Sequence, residues 1–293
     1  SKRFARFTQI KLWRGKMKNI ISLTDFDKDG ILQRLDIATQ MRKIVTADYK
    51  RSPHLLGCVL GGVWQKPCVS STAFGLAVTY MSGTPFLTFG ADAAEQLRAM
   101  DNMGVSDIVV SDKNDNFVKL FAETCRAKVI NGGSGKFNPV AVLADVMALR
   151  ARTDGLNGLN VLLVGNRDVN KVTELISVLS LFGSTVTWYL PPSDIATERK
   201  GIVLDNIQAA FAGVDAVIDL RLNEFCNPVD YYGANSGIPI SLMSKARVSA
   251  PLLGSKNVVD EFGIKEYPLN LVKIGQSCYV SVAMACLYLL HRN

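Results

Sequence analysis

The chain has 293 residues, 48% of them hydrophobic and 20% charged, with a formal charge of +7. That length allows two domains that each bury a core, and no uninterrupted apolar run reaches the roughly 18 residues of a membrane span, which predicts a soluble globular protein. Six cysteines (Cys58, Cys68, Cys125, Cys226, Cys278, Cys286) show no framework spacing and no CxxC, and the two histidines, His54 and His291, adjoin no Cys or carboxylate cluster in sequence. A disulfide scaffold and a zinc site are therefore excluded, and buried thiols in a reducing compartment are expected.

The charge sits at the N-terminus. Residues 1–24 carry Lys2, Arg3, Arg6, Lys11, Arg14, Lys16 and Lys18 and no acid; 33 basic residues less these leaves 26, which the 26 acidic residues balance. Such an arm reads as a solvated tail, as a docking element, or as the trailing part of a mitochondrial targeting region. The mixture of aromatic and basic side chains at Arg3, Phe4, Arg6, Phe7, Lys11, Trp13 and Arg14 favours docking. The expectation is an arm that binds protein partners of a multi-subunit assembly in the mitochondrial matrix, with RNA contact as a salt-sensitive alternative.

Beyond the arm, Ile31, Leu32, Leu35, Ala38 and Met41 repeat at helical spacing and predict a helix over 28–44. Asp27 would cap it, with Phe26 and Ile31 as a staple. Asp25, Asp27, Asp29, Gly30 and Asp36 also match a calcium-loop pattern, but helical periodicity begins inside that loop and its twelfth residue is not Glu.

From there β-rich runs (55–63, 85–89, 107–110, 128–130) alternate with helical ones (71–81, 91–103, 116–124), the signature of a parallel sheet with helices on its faces. After a helix over 139–152 the pattern restarts, with strands expected at 160–164, 185–189, 216–218 and near Val248, and helices at 171–182 and 202–211. A basic arm over 1–24 would thus precede two domains, 25–148 and 149–276, and an apolar helix over 277–291 closes the chain.

Two glycine-bearing turns invite a phosphate reading. Gly132-Gly-Ser-Gly-Lys136 lacks the Gly-Lys-Ser/Thr ending of a P-loop, and Val164-Gly165-Asn166 is half of a dinucleotide turn. No cofactor is implied by either.

The segment from Asn131 through Gly132, Gly133, Asn138 and Pro139 to Leu143-Ala144-Asp145, the turn Ser82-Gly83-Thr84-Pro85, and the late Gly275-Gln276-Ser277 turn occur in the order found in one family. With these residues the chain resembles the aspartate and ornithine carbamoyltransferases. The resemblance implies two doubly wound parallel-sheet α/β domains joined by an interdomain helix, with the last helix packing back on the first domain. It also implies assembly as trimers, so a homotrimer or a mixed trimer with a paralogue is expected.

The same resemblance locates the expected site residues. The family's first arginine-bearing motif falls at Pro67–Ser71, leaving Ser70 and Ser71; its next phosphate-contacting arginine falls at Ser111. Its His-Pro-x-Gln falls at Asn138-Pro139-Val140-Ala141, and a late arginine at Ser281. Lys171 and Arg221 stand where basic positions persist. Remnant ligand contacts are therefore expected at Lys171, Arg221, Ser70, Ser71 and Asn138, with no catalytic or metal residue. A charge-assisted hydrogen bond contributes roughly 1.5–3 kcal/mol. Loss of several such donors predicts a non-catalytic structural subunit; the alternative is a working or regulatory transferase that binds carbamoyl phosphate or an amino acid.

Overall fold

The computed structural model describes residues 19–90, 93–190, 206–222, 232, 237–255 and 257–292. The arm residues Arg3, Phe4, Arg6, Phe7, Lys11, Trp13 and Arg14 lie outside them. α1 (Lys28–Val45) starts where expected: Asp27 is extended and its carboxylate accepts from Gly30 N at 2.8 Å. The Phe26 ring lies 3.6 Å beneath the Arg34 guanidinium. Ile31, Leu35 and Ala38 are fully buried, so one apolar stripe anchors the helix.

Four parallel strands then form the first sheet: β1 (Val59–Trp64), β2 (Thr84–Phe89), β3 (Asp107–Val110) and β4 (Lys128–Asn131), in the order β2-β1-β3-β4. Between them run α2 (Val69–Tyr80), α3 (Ala93–Asn102) and α4 (Asp115–Thr124). α5 (Pro139–Arg150) leads out, with Pro139 in its first turn and ten of its residues buried. The second sheet repeats the plan with β5 (Asn160–Val164), β6 (Thr185–Tyr189), β7 (Ala216–Asp219) and β8 (Leu252–Leu253), in the order β6-β5-β7-β8. α6 (Val172–Ser180), α7 (Ile207–Phe211) and α8 (Ile240–Met243) accompany it, and β9 (Asn257–Asp260) pairs antiparallel with β10 (Gly263–Glu266). The expected two parallel-sheet α/β architecture is present.

Two expectations shift. Val248 is 99% exposed in a loop, and the strand forms at β8 instead, where Leu252 and Leu253 are buried. The closing helix α9 (Val272–His291) starts five residues early, so Gly275 lies inside its first turn and makes no separate turn. α9 is apolar on every side and, by length and composition, could cross a membrane, but 67% of that stretch is buried inside the protein. It packs against α1, α2 and α5, the environment that an all-round hydrophobic helix requires.

Candidate ligand cleft at the strand ends

In both sheets the first strand lies between the second and third, so each has a switch point where crossovers leave in opposite directions. Ligands of open α/β sheets bind outside the carboxyl ends of strands at such points. Here those ends are β1, β3 and β4 in the first sheet and β5 and β7 in the second.

On the first wall β4 runs into the glycine loop. Gly133 has φ +125°, a left-handed conformation that disfavours a side chain. Asn131 holds the loop: its Oδ1 accepts from Gly133 N at 2.9 Å, and its amide donates to Ile21 O and Ser134 Oγ. Ser134 Oγ donates to Asp115, which also accepts from Lys136 N. The hydroxyls of Ser70 and Ser111 donate to the carbonyls of Gly132 (3.1 Å) and Gly133 (3.2 Å). Ser71 faces its own helix end, accepting from Cys68 N and donating to Cys68 O. Asn138 caps α5, accepting from Ala141 N, while its side-chain amide lies beside Gly133.

Glu174 of α6 ties the second sheet's helix to the segments that lead into α1 and α5. It is fully buried and accepts from Leu23 N (2.6 Å) and Asn138 N (2.7 Å). Burial outweighs these donors and raises its pKa to about 7.

The second wall holds the two cations. Lys171 Nζ is 3.0 Å from Asp145 Oδ2 of α5. Burial pulls the Lys171 pKa down, but Asp145 and then Asp168 more than offset this and leave it raised. Arg221 has φ +62° and grips Asp168 through one nitrogen, at 2.8 and 3.0 Å. Its carbonyl accepts from Asn166 N and Arg167 N, tying the end of β7 to the turn after β5. Asp219, which accepts from Arg221 N at 2.7 Å, is pushed up to about 6 by burial.

Sequence reasoning missed a third group. Lys113, Lys119 and Lys136 line an open cleft of about 560 Å³ beside the glycine loop, together with Asp115 and Phe137. Lys119 Nζ lies 5.8 Å over the Phe137 ring. Lys136 closes the glycine turn already noted in the sequence, whereas Lys113 and Lys119 lie more than fifteen residues before it and belong to no motif; only the fold unites them.

Two parallel sheets, each with a switch point at its carboxyl strand ends, define a two-domain doubly wound α/β fold. No family model matches the chain. The aspartate carbamoyltransferase catalytic subunit of Caldicellulosiruptor bescii is 24% identical over 94% of this chain and 98% of its own. Ornithine carbamoyltransferase from Thermus thermophilus superposes with a TM-score of 0.79 at 19% identity, covering 93% of this chain and 98% of that one. Aspartate transcarbamoylase from Trypanosoma cruzi, in complex with carbamoyl phosphate and aspartate, gives 0.78 at 15% identity, over 93% and 95%. In sequence and in fold the chain is thus similar to the aspartate and ornithine carbamoyltransferases.

These comparisons correct three expectations. A non-catalytic structural subunit and a pseudoenzyme conflict with a relative named as a catalytic subunit and matched across nearly the whole chain. The mitochondrial setting conflicts with the source of that relative, a bacterium.

Proposed function

We propose that the chain is a carbamoyltransferase of the aspartate type, binding carbamoyl phosphate against the glycine loop and an amino-acid carboxylate against Lys171 and Arg221. The observation that carries this reading is the lysine-lined cleft beside that loop. Lys113, Lys119 and Lys136 give an anionic donor a positive approach although the motif positions hold Ser70, Ser111 and Asn138. The near full-length similarity to a catalytic subunit supports it, as does the ligand pair named for the T. cruzi structure.

In this reading the Ser70 and Ser111 hydroxyls turn from glycine carbonyls to phosphate oxygens, and the Asn138 amide donates to the carbonyl oxygen of the donor. Neutral donors stabilise developing charge less than cationic ones, so turnover is slow: one oxyanion donor is worth on the order of a hundredfold in rate. An initial-rate assay with carbamoyl phosphate and either L-aspartate or L-ornithine tests the reading. Carbamoylated aspartate above the uncatalysed background, reduced by Lys136→Ala, supports it; background rates with both amines overturn it.

The word "subunit" in the name of the C. bescii relative also supports assembly. Val69, Leu76, Phe86 and Phe89, on α2 and the edge strand β2, are exposed, an apolar surface suited to further copies of this chain. Light scattering of the purified chain distinguishes a trimer from a monomer, and removing residues 1–18 tests whether the basic arm docks a protein or RNA partner.

A further inference from the structure

At the opposite, amino-terminal edge of the first sheet three side chains meet that no sequence motif joins. Cys58 precedes β1, Asp107 opens β3, and His291 ends α9. His291 Nε2 lies 2.6 Å from Asp107 Oδ2, and Nδ1 lies 3.7 Å from Cys58 Sγ. The Asp107 side chain is 1% exposed and that of His291 is 19% exposed. Asp107 Oδ1 is buried with no hydrogen-bond partner among the described residues.

A carboxylate can only accept, so it fixes the imidazole proton on Nε2 and leaves the Nδ1 lone pair facing the thiol. Burial, then the Asp107 charge, raises the Cys58 pKa, while Lys128 of β4 and the Ser106 hydroxyl pull the other way. At neutral pH the group is a thiol and needs a base to react. The charged and titratable groups around the site have these contacts of their own. Lys128 Nζ donates to Leu290 O at 2.6 Å, His54 meets the Tyr288 ring edge-on at 5.1 Å, and the Arg292 guanidinium lies 6.0 Å over the Tyr288 ring.

We propose that Cys58, His291 and Asp107 form a base-assisted thiol centre that exchanges with small disulfides. Cys58 Sγ attacks one sulfur of a disulfide RSSR. The S–S bond of RSSR breaks as the Cys58–SR bond forms, the thiol proton passes to His291 Nδ1, and the leaving thiolate takes it up to depart as RSH. The disulfide is itself the oxidant, so no further reactant is needed. The proposal is independent of the cleft, because no residue is shared.

The full-length chain treated with bis(2-hydroxyethyl) disulfide provides the test, with mixed disulfide at each cysteine quantified by peptide mass. Exposed Cys68 serves as an internal reference, since it has no histidine partner. The expected result is a Cys58 rate whose pH profile differs from that of Cys68 and which falls at least about tenfold in both His291→Gln and Asp107→Asn, with Cys68 unchanged. Asp107→Asn retains the side-chain volume, and an unchanged Cys68 rate and circular dichroism spectrum confirm folding in either variant. Unchanged Cys58 rates in the folded variants, or a Cys58 pH profile that tracks Cys68, overturn the proposal.

Discussion

On the first-domain wall of the cleft, Ser70, Ser111 and Asn138 offer neutral groups to a glycine loop, whereas on the second wall Lys171 and Arg221 carry full charges already held by Asp145 and Asp168. The first wall is organised by hydrogen bonds to backbone carbonyls that a ligand can replace at little cost. The second is organised by ion pairs that a ligand carboxylate must compete with. The two pairs also differ from each other: Lys171 and Asp145 are both largely buried, while Arg221 is half exposed. Charge on the second wall is thus compensated by ion pairs, whereas that beside the glycine loop comes from Lys113, Lys119 and Lys136.

The largest expected effect comes from removing the backbone that builds the second wall. Gly165 has φ +99°, and a Cβ there would run into the Arg221 carbonyl. Gly165→Ala should destabilise the chain by about 3 kcal/mol or more, read from urea midpoints. Lys171→Met comes next: it strands Asp145 without its partner and should cost about 3 kcal/mol, with much of the loss recovered in the Lys171→Met, Asp145→Leu double variant.

Glu174 links the walls through protonation. Its folded pKa of about 7 exceeds the ordinary 4.5, so the proton-linked contribution is fully present below pH 4.5 and is lost as pH rises through 7. Between those limits it amounts to at most about 3 kcal/mol, and Glu174→Gln should flatten that part of the stability–pH profile. Equal slopes for the variant and the parent would break the link. Asn138→Ala removes only the cap of α5 and should cost about 1 kcal/mol. Smallest of all, Arg221→Met should change stability by less than about 1 kcal/mol, because its pair with Asp168 is half solvated; a loss as large as that of Lys171→Met would erase the distinction between the two ion pairs.

Much of the fold was legible because the strands are short, buried on both faces and rich in β-branched residues, as at Asp107–Val110 and Asn160–Val164. The cap at Asp27 and the Pro139 helix start were legible from local chemistry. Val248 was not: its β-branched side chain suggested a strand, but propensity yields to the pairing that β7 offers Leu252 and Leu253. At the glycine loop, Ser70, Ser111 and Asn138 lie beside the turn that sequence position suggested, while Lys113 and Lys119 were missed because tertiary structure alone brings them to Lys136. His291 was missed for the same reason, being 184 residues from Asp107 and 233 from Cys58. Loss of activity was over-read from single positions; the similarity to a catalytic subunit extends along almost the whole chain.

The most direct test of a cleft that binds ligand between both walls is a thermal-shift titration with carbamoyl phosphate and with a phosphonoacetyl-aspartate-type bisubstrate analogue. Ligand that binds only the folded state stabilises it by about 2.7 kcal/mol at a hundredfold excess over Kd. The account predicts a saturable rise in Tm with both, larger for the bisubstrate analogue and reduced for that analogue by Arg221→Met. An unchanged Tm at millimolar concentrations of both ligands would contradict it.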